Sequence, residues 1–449
     1  MATLIAEITS SVNLQAVLHA YQQLGAEPVK EYANISRLMG ARIYLFDAPV
    51  GTPLQPFLRV PGVSFAEPDE EHIYVLPCGM GHYLSPANEH GSLRETRPLG
   101  AGSMVLGNFL SATEGQRLSS LPAIMAMTGA QDAIGMSKKG GQGSVLVIID
   151  SGIDGHFVPE TQRAGGWSDD AGHPDPWTDE FGHGTLVARV AMAYAPNAKV
   201  FSAKPRPGSQ GGVMKESVMS FLDAAIPIIQ ANPDLGFVVN NSWGTDGSIL
   251  SAKPYWCTMI PSRLIEAIDR SGAALVVFAA GNGHRDQNGV PSIVCINSNP
   301  GAITVGALDQ RGQPQYYSSR GPAQCYALAP LISAPTWGVL PWGSGYRDFQ
   351  DQGGGTSSTA PQVSGALALI KADYPKATNL QLKAALAASA QRFFPQFLMP
   401  FDFATGFGML RTNRALNTVP GVLLHPYAAT LRAAQLASKV RVPAAAALI

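Results

Sequence analysis

Residues 3–8 have a strand-like pattern, and Val12, Val17, Leu18, Tyr21 and Leu24 then fall on one face at helical spacing. Extended segments at 28–35 and 41–47, a helical stretch near 52–60 and a strand pair around 63–76 complete the order βαββαβ, that of a small ferredoxin-like α+β sandwich. From 78 to 119 the chain is aperiodic and rich in Gly, Pro and Ser, the signature of a linker. Beyond about 120 the period changes. The runs Val145–Ile149, Lys199–Ala203, Phe237–Asn240, Ala274–Ala280 and Ala302–Val305 are short, largely apolar and bounded mostly by Gly or Pro, as fully buried parallel strands are. Helical stretches at 184–194, 213–230, 260–271 and 361–373 lie between and after them, so the expected architecture is an α/β fold with a doubly wound, mostly parallel sheet. The tail is Ala-rich, with one helix expected at 427–439. The predicted units are therefore 1–77, 78–119, 120–415 and 416–449.

Composition narrows the function classes. Lys and Arg total 31 against 32 Asp and Glu in 449 residues, a net charge of -1, which offers no field to hold nucleic acid or an anionic membrane. Neither partner is expected. With 47 Gly and 34 Pro the chain exceeds the usual ~12% for these two residues, so tight turns and close backbone approaches are expected around a loop-built site. The four cysteines (Cys78, Cys257, Cys295 and Cys325) are widely spaced without a CxxC pair, and read as free thiols or as a single Cys257–Cys295 bridge. The N-terminus has no basic start followed by a long apolar run, and no uncharged apolar run reaches ~18 residues. A cytoplasmic protein, or one exported by a non-standard route, is the expectation.

Four short motifs sit at junctions of the α/β pattern. In VLVIIDSGID, Asp150 ends a buried strand, where a carboxylate is costly unless a partner uses it. In FGHGTLVARVAMA, His183 stands between two glycines at the opening of a helix. In GGGTSSTAPQVSGALALI, Ser357 follows a Gly-rich turn and opens a helix, where backbone amides lend partial positive charge. In ALVVFAAGNGH, the segment Ala279, Ala280, Gly281 presents Asn282, whose amide can donate to an oxyanion. Each has an ordinary reading by itself: a turn aspartate, a capping histidine, a serine N-cap, an Asn-Gly turn.

Together these strings, with His183 placed 33 residues after Asp150 and Ser357 a further 174 along, resemble the subtilisin-like serine protease family. The resemblance spans about 120–415. It implies that Ser357 is the nucleophile, that His183 shuttles its proton, and that Asp150 orients the imidazole. It further implies an oxyanion hole formed by Asn282 and the Ser357 backbone N–H. A substrate strand would lie along Ser242, Trp243 and Gly244, with Ala279–Gly281 alongside. Val294, Cys295 and Ile296 would floor an uncharged specificity pocket preferring apolar or medium-sized residues, and Trp243 would narrow a more distant apolar subsite. No metal is required for the chemistry, and the family's calcium loop is expected to be absent because ARVAMAYAPNAKV runs straight through its usual place. This chain departs from the family at Leu186 and Arg189 after the histidine and at Ser358 and Thr359 after the serine; none of these supplies a catalytic atom.

The first 77 residues resemble the inhibitory propeptide of the same family, with Ile73–Gly79 as the blocking strand. A serine endopeptidase made as a self-processing zymogen follows as the expectation, acting as a monomer on peptide or protein substrates with its own N-terminal domain as intramolecular inhibitor. Two alternatives are a transpeptidase or macrocyclase, disfavoured by the lack of a long insertion between His183 and Ser357, and a pseudoprotease binding module, disfavoured by the intact set Asp150, His183, Ser357.

Overall fold

In a computed structural model the described residues are 2–50, 52–68, 73–74, 121–206, 212–213, 215–244, 259–282, 293, 295–323, 326, 328–336, 355–393, 401–424 and 428–433. The N-terminal unit comprises β1 (Ala2–Ile8), α1 (Leu14–Gln23), β2 (Glu27–Glu31), α2 (Ala33–Met39), β3 (Arg42–Ala48), α3 (Gln55–Leu58) and β4 (Val63–Pro68). Its four strands form one antiparallel sheet in the order β2-β3-β1-β4, so the two central strands are not neighbours in sequence. Leu4, Ala6 and Ile8 pack with Val17, Tyr21 and Phe57 on the helical side of this sheet, while Ile5, Ile43 and Leu45 face the rest of the protein, as a period of two requires.

Two sequence expectations change here. The extended segment at 28–35 stops at Glu31, and helix α2 follows because Asp223 Oδ1 accepts from both Asn34 N and Ile35 N at 2.8 Å, capping it from a distant part of the chain. The expected strand pair around 63–76 divides instead into β4 and a separate two-residue strand, β5 (Ile73–Tyr74), which pairs antiparallel with β9 (Gly212–Val213) outside the N-terminal sheet.

The larger unit contains a seven-stranded, wholly parallel sheet in the order β13-β12-β11-β10-β6-β8-β7. Its strands are β6 (Ser144–Ile149), β7 (Arg163–Ser168), β8 (Lys199–Lys204), β10 (Gly236–Asn241), β11 (Leu275–Ala279), β12 (Ala302–Leu308) and β13 (Ile332–Pro335). The five apolar runs account for β6, β8, β10, β11 and β12. β7 (RAGGWS) and β13 (ISAP) lie at the edges and carry too little apolar sequence to stand out.

The helices are α4 (Leu121–Met127), α5 (Ala130–Met136), α6 (His183–Tyr194), α7 (Lys215–Ala231), α8 (Ile260–Ser271), α9 (Thr356–Asp373), α10 (Asn379–Ser389) and α11 (Thr412–Thr418). They divide the strand side chains between two faces. Leu146 and Ile148 pack with Val187, Ala188 and Val363 of α6 and α9. Val145, Val147 and Ile149 pack with Val218, Phe221 and Leu264 of α7 and α8, and this second core also takes in Ile5, Tyr32 and Ile35 of the N-terminal unit. Gly365 lets α9 lie hard against α6: a Cβ there would stand 2.2 Å from Ala191 O. Of the expected tail helix, 428–433 is helical; the linker from 78 to 119, most of the Ile73–Gly79 strand and the remainder of the tail lie outside the described residues.

Candidate active site

Winding reverses between β6 and β10. From β6 the chain proceeds outward through β7 and β8, then returns to lay β10 on the other flank of β6. In an open parallel sheet the crevice at the carboxyl ends of two such strands is where ligands bind. Asp150 follows β6 directly, and Ser242 follows Asn241, the last residue of β10.

Asp150 is fully buried. Its backbone N–H donates to Ala203 O at 3.0 Å, and its Oδ1 accepts from Ser151 N at 2.8 Å and lies 2.7 Å from His183 Nδ1. A carboxylate can only accept, so Nδ1 carries the imidazole proton and Nε2 is left with its lone pair for other chemistry. His183 is the first residue of α6, also fully buried, and enters after Gly182 in the left-handed region (φ 85°). The strand end and helix start approach this closely because position 184 is glycine: a Cβ there would lie 2.1 Å from Gly152 O and 3.0 Å from Asp150 Cβ.

A second carboxylate supports this helix start. Asp179 accepts from Gly182 N (2.7 Å), Thr185 N (2.9 Å), Thr185 Oγ1 (2.6 Å) and Ser151 Oγ (2.9 Å), tying the His183 turn to the residue after Asp150. Burial pushes the Asp179 carboxyl above the usual carboxylate range, and its four hydrogen bonds oppose that rise. The sequence reading missed it, although an Asp four residues before a helix-opening His-Gly-Thr is a legible capping signal.

Ser357 is the second residue of α9, which begins five residues earlier than the apolar pattern suggested. Pro361, inside this helix, has no N–H to give the carbonyl four residues back, which is that of Ser357. Ser242 Oγ fills the vacancy, donating to Ser357 O at 3.0 Å, and Ser357 Oγ donates in return to Ser242 O at 2.8 Å. The proline thus makes the Ser357 carbonyl a docking point for the end of β10. Two turns on, Ser364 Oγ donates to Asn240 Oδ1 at 2.8 Å, and Asn240 Nδ2 donates to Ser242 Oγ at 2.9 Å, extending the link.

Asn282 lies just past β11. Its Oδ1 accepts from Thr356 N (2.8 Å) and Thr356 Oγ1 (2.9 Å), so the amide nitrogen faces the other way. That Nδ2 is buried and has no hydrogen-bond partner among the described residues. A buried, unused donor costs free energy unless a ligand takes it up. Gly355, in the left-handed region at φ 76°, keeps the approach open, because a Cβ there would come within 2.9 Å of Nδ2.

Ser242–Gly244 and Ala279–Gly281 leave the carboxyl edge on adjoining strands, flanking this group. Trp243 corrects an expectation: its indole is buried, donates Nε1–H to Ile149 O at 2.8 Å and stands edge-on to Phe278, so it packs in the core and fixes the backbone before Asp150 rather than narrowing a subsite. Ile296 is buried in the same core. Val294, the Cys295 side chain and the other three cysteines lie outside the described residues. Helix α6 runs without interruption from His183 to Tyr194. Among the described residues no group of three or more His, Cys, Asp or Glu side chains is placed to hold a metal ion, and no helix is long and apolar enough to cross a membrane.

Comparison with known proteins points to one family. The model of the subtilase family matches residues 141–418. A thermostable alkaline protease of Halalkalibacterium halodurans is 31% identical over 255 residues, which are 54% of this chain and 61% of that protein. Subtilisin E of Bacillus subtilis is 29% identical over 255 residues, covering 55% of this chain and 60% of its own length. The alkaline protease of Alkalihalobacillus alcalophilus is 30% identical over 255 residues, 54% of this chain and 58% of that protein. The chain thus spans about 60% of the length of these relatives.

Proposed function

This chain belongs to the subtilase family, and from that premise we propose that it is a serine endopeptidase whose catalytic groups are Ser357, His183 and Asp150. The observation that supports the reading most directly is the buried 2.7 Å bond between His183 Nδ1 and Asp150, at the sheet edge that also carries Ser357 and the unused donor of Asn282. Ser357 Oγ attacks the scissile carbonyl while His183 Nε2 takes its proton, and Asp150 stabilises the imidazolium so formed. The tetrahedral oxyanion receives Asn282 Nδ2–H and the backbone N–H of Ser357, both preorganised at the helix N-terminus. The C–N bond then breaks, and His183 returns the proton to the leaving amine. Water, deprotonated by His183, releases the acid in the second half-reaction. No metal or organic cofactor takes part in this chemistry.

Residues 1–77 act in the same reading as an intramolecular inhibitor, 78–119 as a processing segment, 120–415 as the catalytic domain and 416–449 as a tail. The pairing of β5 with β9 supports this assignment, since it extends the N-terminal unit as a strand just before α7. The substrate is a peptide or protein laid along Ser242–Gly244 as an added strand.

A fluorophosphonate probe should label the wild type and leave Ser357→Ala unlabelled, and release of a free acid from a peptide distinguishes hydrolysis from transfer to an amine. Asn282→Ala is expected to lower turnover about 10²–10³-fold with little change in KM, the cost of losing one such donor in subtilisin. Steady-state kinetics on a peptide amide check this; a turnover within threefold of wild type would remove Asn282 from the oxyanion hole.

A further inference from the structure

The reacting carbonyl must sit beside Ser357 Oγ, which is held against Ser242 O, and its oxygen must reach Asn282 Nδ2, which follows Gly281. The side chain preceding the scissile bond is attached one atom away from that carbonyl. It therefore descends between the two backbone walls, Ser242–Gly244 on one side and Ala279–Gly281 on the other. What lies between those walls decides its size.

Asn297, on the 3-10 turn Cys295–Ser298, spans them. Its Nδ2 donates to Trp243 O at 3.2 Å and to Ala279 O at 2.7 Å, one carbonyl from each wall. It is 2% exposed. Gly244 lies against it so closely that a Cβ on that residue would stand 2.1 Å from Asn297 Nδ2. The turn carrying it is fastened from β12 by Thr304 Oγ1, which donates to Asn297 O. The crossbar is thus a fixed, buried amide rather than a swinging side chain.

We propose that Asn297 is a specificity-determining residue that closes the pocket for the side chain before the scissile bond, so that the enzyme cleaves after small residues (Ala, Ser, Gly) and rejects large apolar ones. The proposal rests on the endopeptidase reading and revises the preference for apolar or medium-sized residues inferred from Val294, Cys295 and Ile296. A phenyl ring reaching this depth must displace the amide, and two buried carbonyls would then lose their donor. A methyl or hydroxymethyl group stops above it. Differences of this kind in a walled pocket discriminate substrates by about 10–200-fold.

The test uses the full chain and two peptides that differ only in Ala or Phe before the scissile bond, with kcat/KM measured for the wild type, Asn297→Ala and Asn297→Ser. The wild type should favour Ala at least about 10-fold, and both variants should lower that ratio about 10-fold or more by raising kcat/KM for the Phe peptide. Asn297→Ser retains a hydroxyl donor to one wall, so it serves if the alanine variant does not fold, as judged by its melting curve. A wild type that cleaves after Phe as readily as after Ala, or a folded variant with an unchanged ratio, would overturn the role of Asn297 while leaving the peptidase reading standing. Absence of both hydrolysis and fluorophosphonate labelling would overturn the peptidase reading, and this proposal with it.

Discussion

Ser357→Ala is expected to abolish peptide-bond hydrolysis, with turnover falling about 10⁶-fold, the size of the effect in subtilisin, whose triad behaves as one unit. The fold should survive, because among the described residues the side chain makes one hydrogen bond, to Ser242 O, while the reverse bond from Ser242 Oγ uses the Ser357 carbonyl, which alanine keeps. Loss of one such bond costs about 0.5–1.5 kcal/mol. His183→Ala should fall nearly as far, since the base and nucleophile are useless separately. Intact-mass measurement after expression provides a second readout. The wild type should mature by cutting between residues 74 and 119, whereas Ser357→Ala should remain full length. An active wild type that keeps all its N-terminal residues would make residues 1–77 a permanent domain. Full activity in Ser357→Ala would sink the mechanism.

The second large effect is expected at the seam between the N-terminal unit and the helices beneath it. Glu67, at the end of β4, is buried with Lys215: Lys215 Nζ lies 3.3 Å from its Oε1, and each side chain is 2% exposed. The Glu67 Oε2 accepts from Ile260 N at 3.3 Å, so one carboxylate faces the first residues of both α7 and α8, where helix dipoles favour negative charge. Glu7 pairs with Arg263 beside it. Glu67→Ala removes this carboxylate from a buried lysine, a change that typically costs about 3–5 kcal/mol. In a Ser357→Ala background, which blocks processing, hydrogen exchange in β4 and at the start of α8 should therefore speed up by about 10²–10³-fold. Adding Lys215→Met should recover much of the loss, because an apolar replacement of a buried pair is often neutral or better. Exchange within threefold of the parent in Glu67→Ala would show that this contact does not hold the unit down.

The local sequence determined the elements whose signal is local. β6, β10, β11 and β12 are legible as largely apolar runs because both their faces are buried, so few polar residues interrupt them. Asp150, His183, Ser357 and Asn282 are legible because each sits where a strand ends or a helix begins, and glycines beside them mark the close approaches that Gly184 and Gly355 make possible. Other features depend on partners remote in sequence, and no window along the chain contains both halves. Helix α2 exists because Asp223, nearly 190 residues away, caps it. Trp243 reads as an apolar residue beside a substrate strand, yet its indole belongs to the core because the carbonyl of Ile149, 94 residues earlier, accepts its N–H. Asn297 looks like any turn asparagine until the sheet brings the carbonyls of Trp243 and Ala279 to either side of it. Periodicity and turn chemistry act over a few residues and so are written in the chain. Which buried donor meets which acceptor is decided only when strands distant in sequence are packed edge to edge.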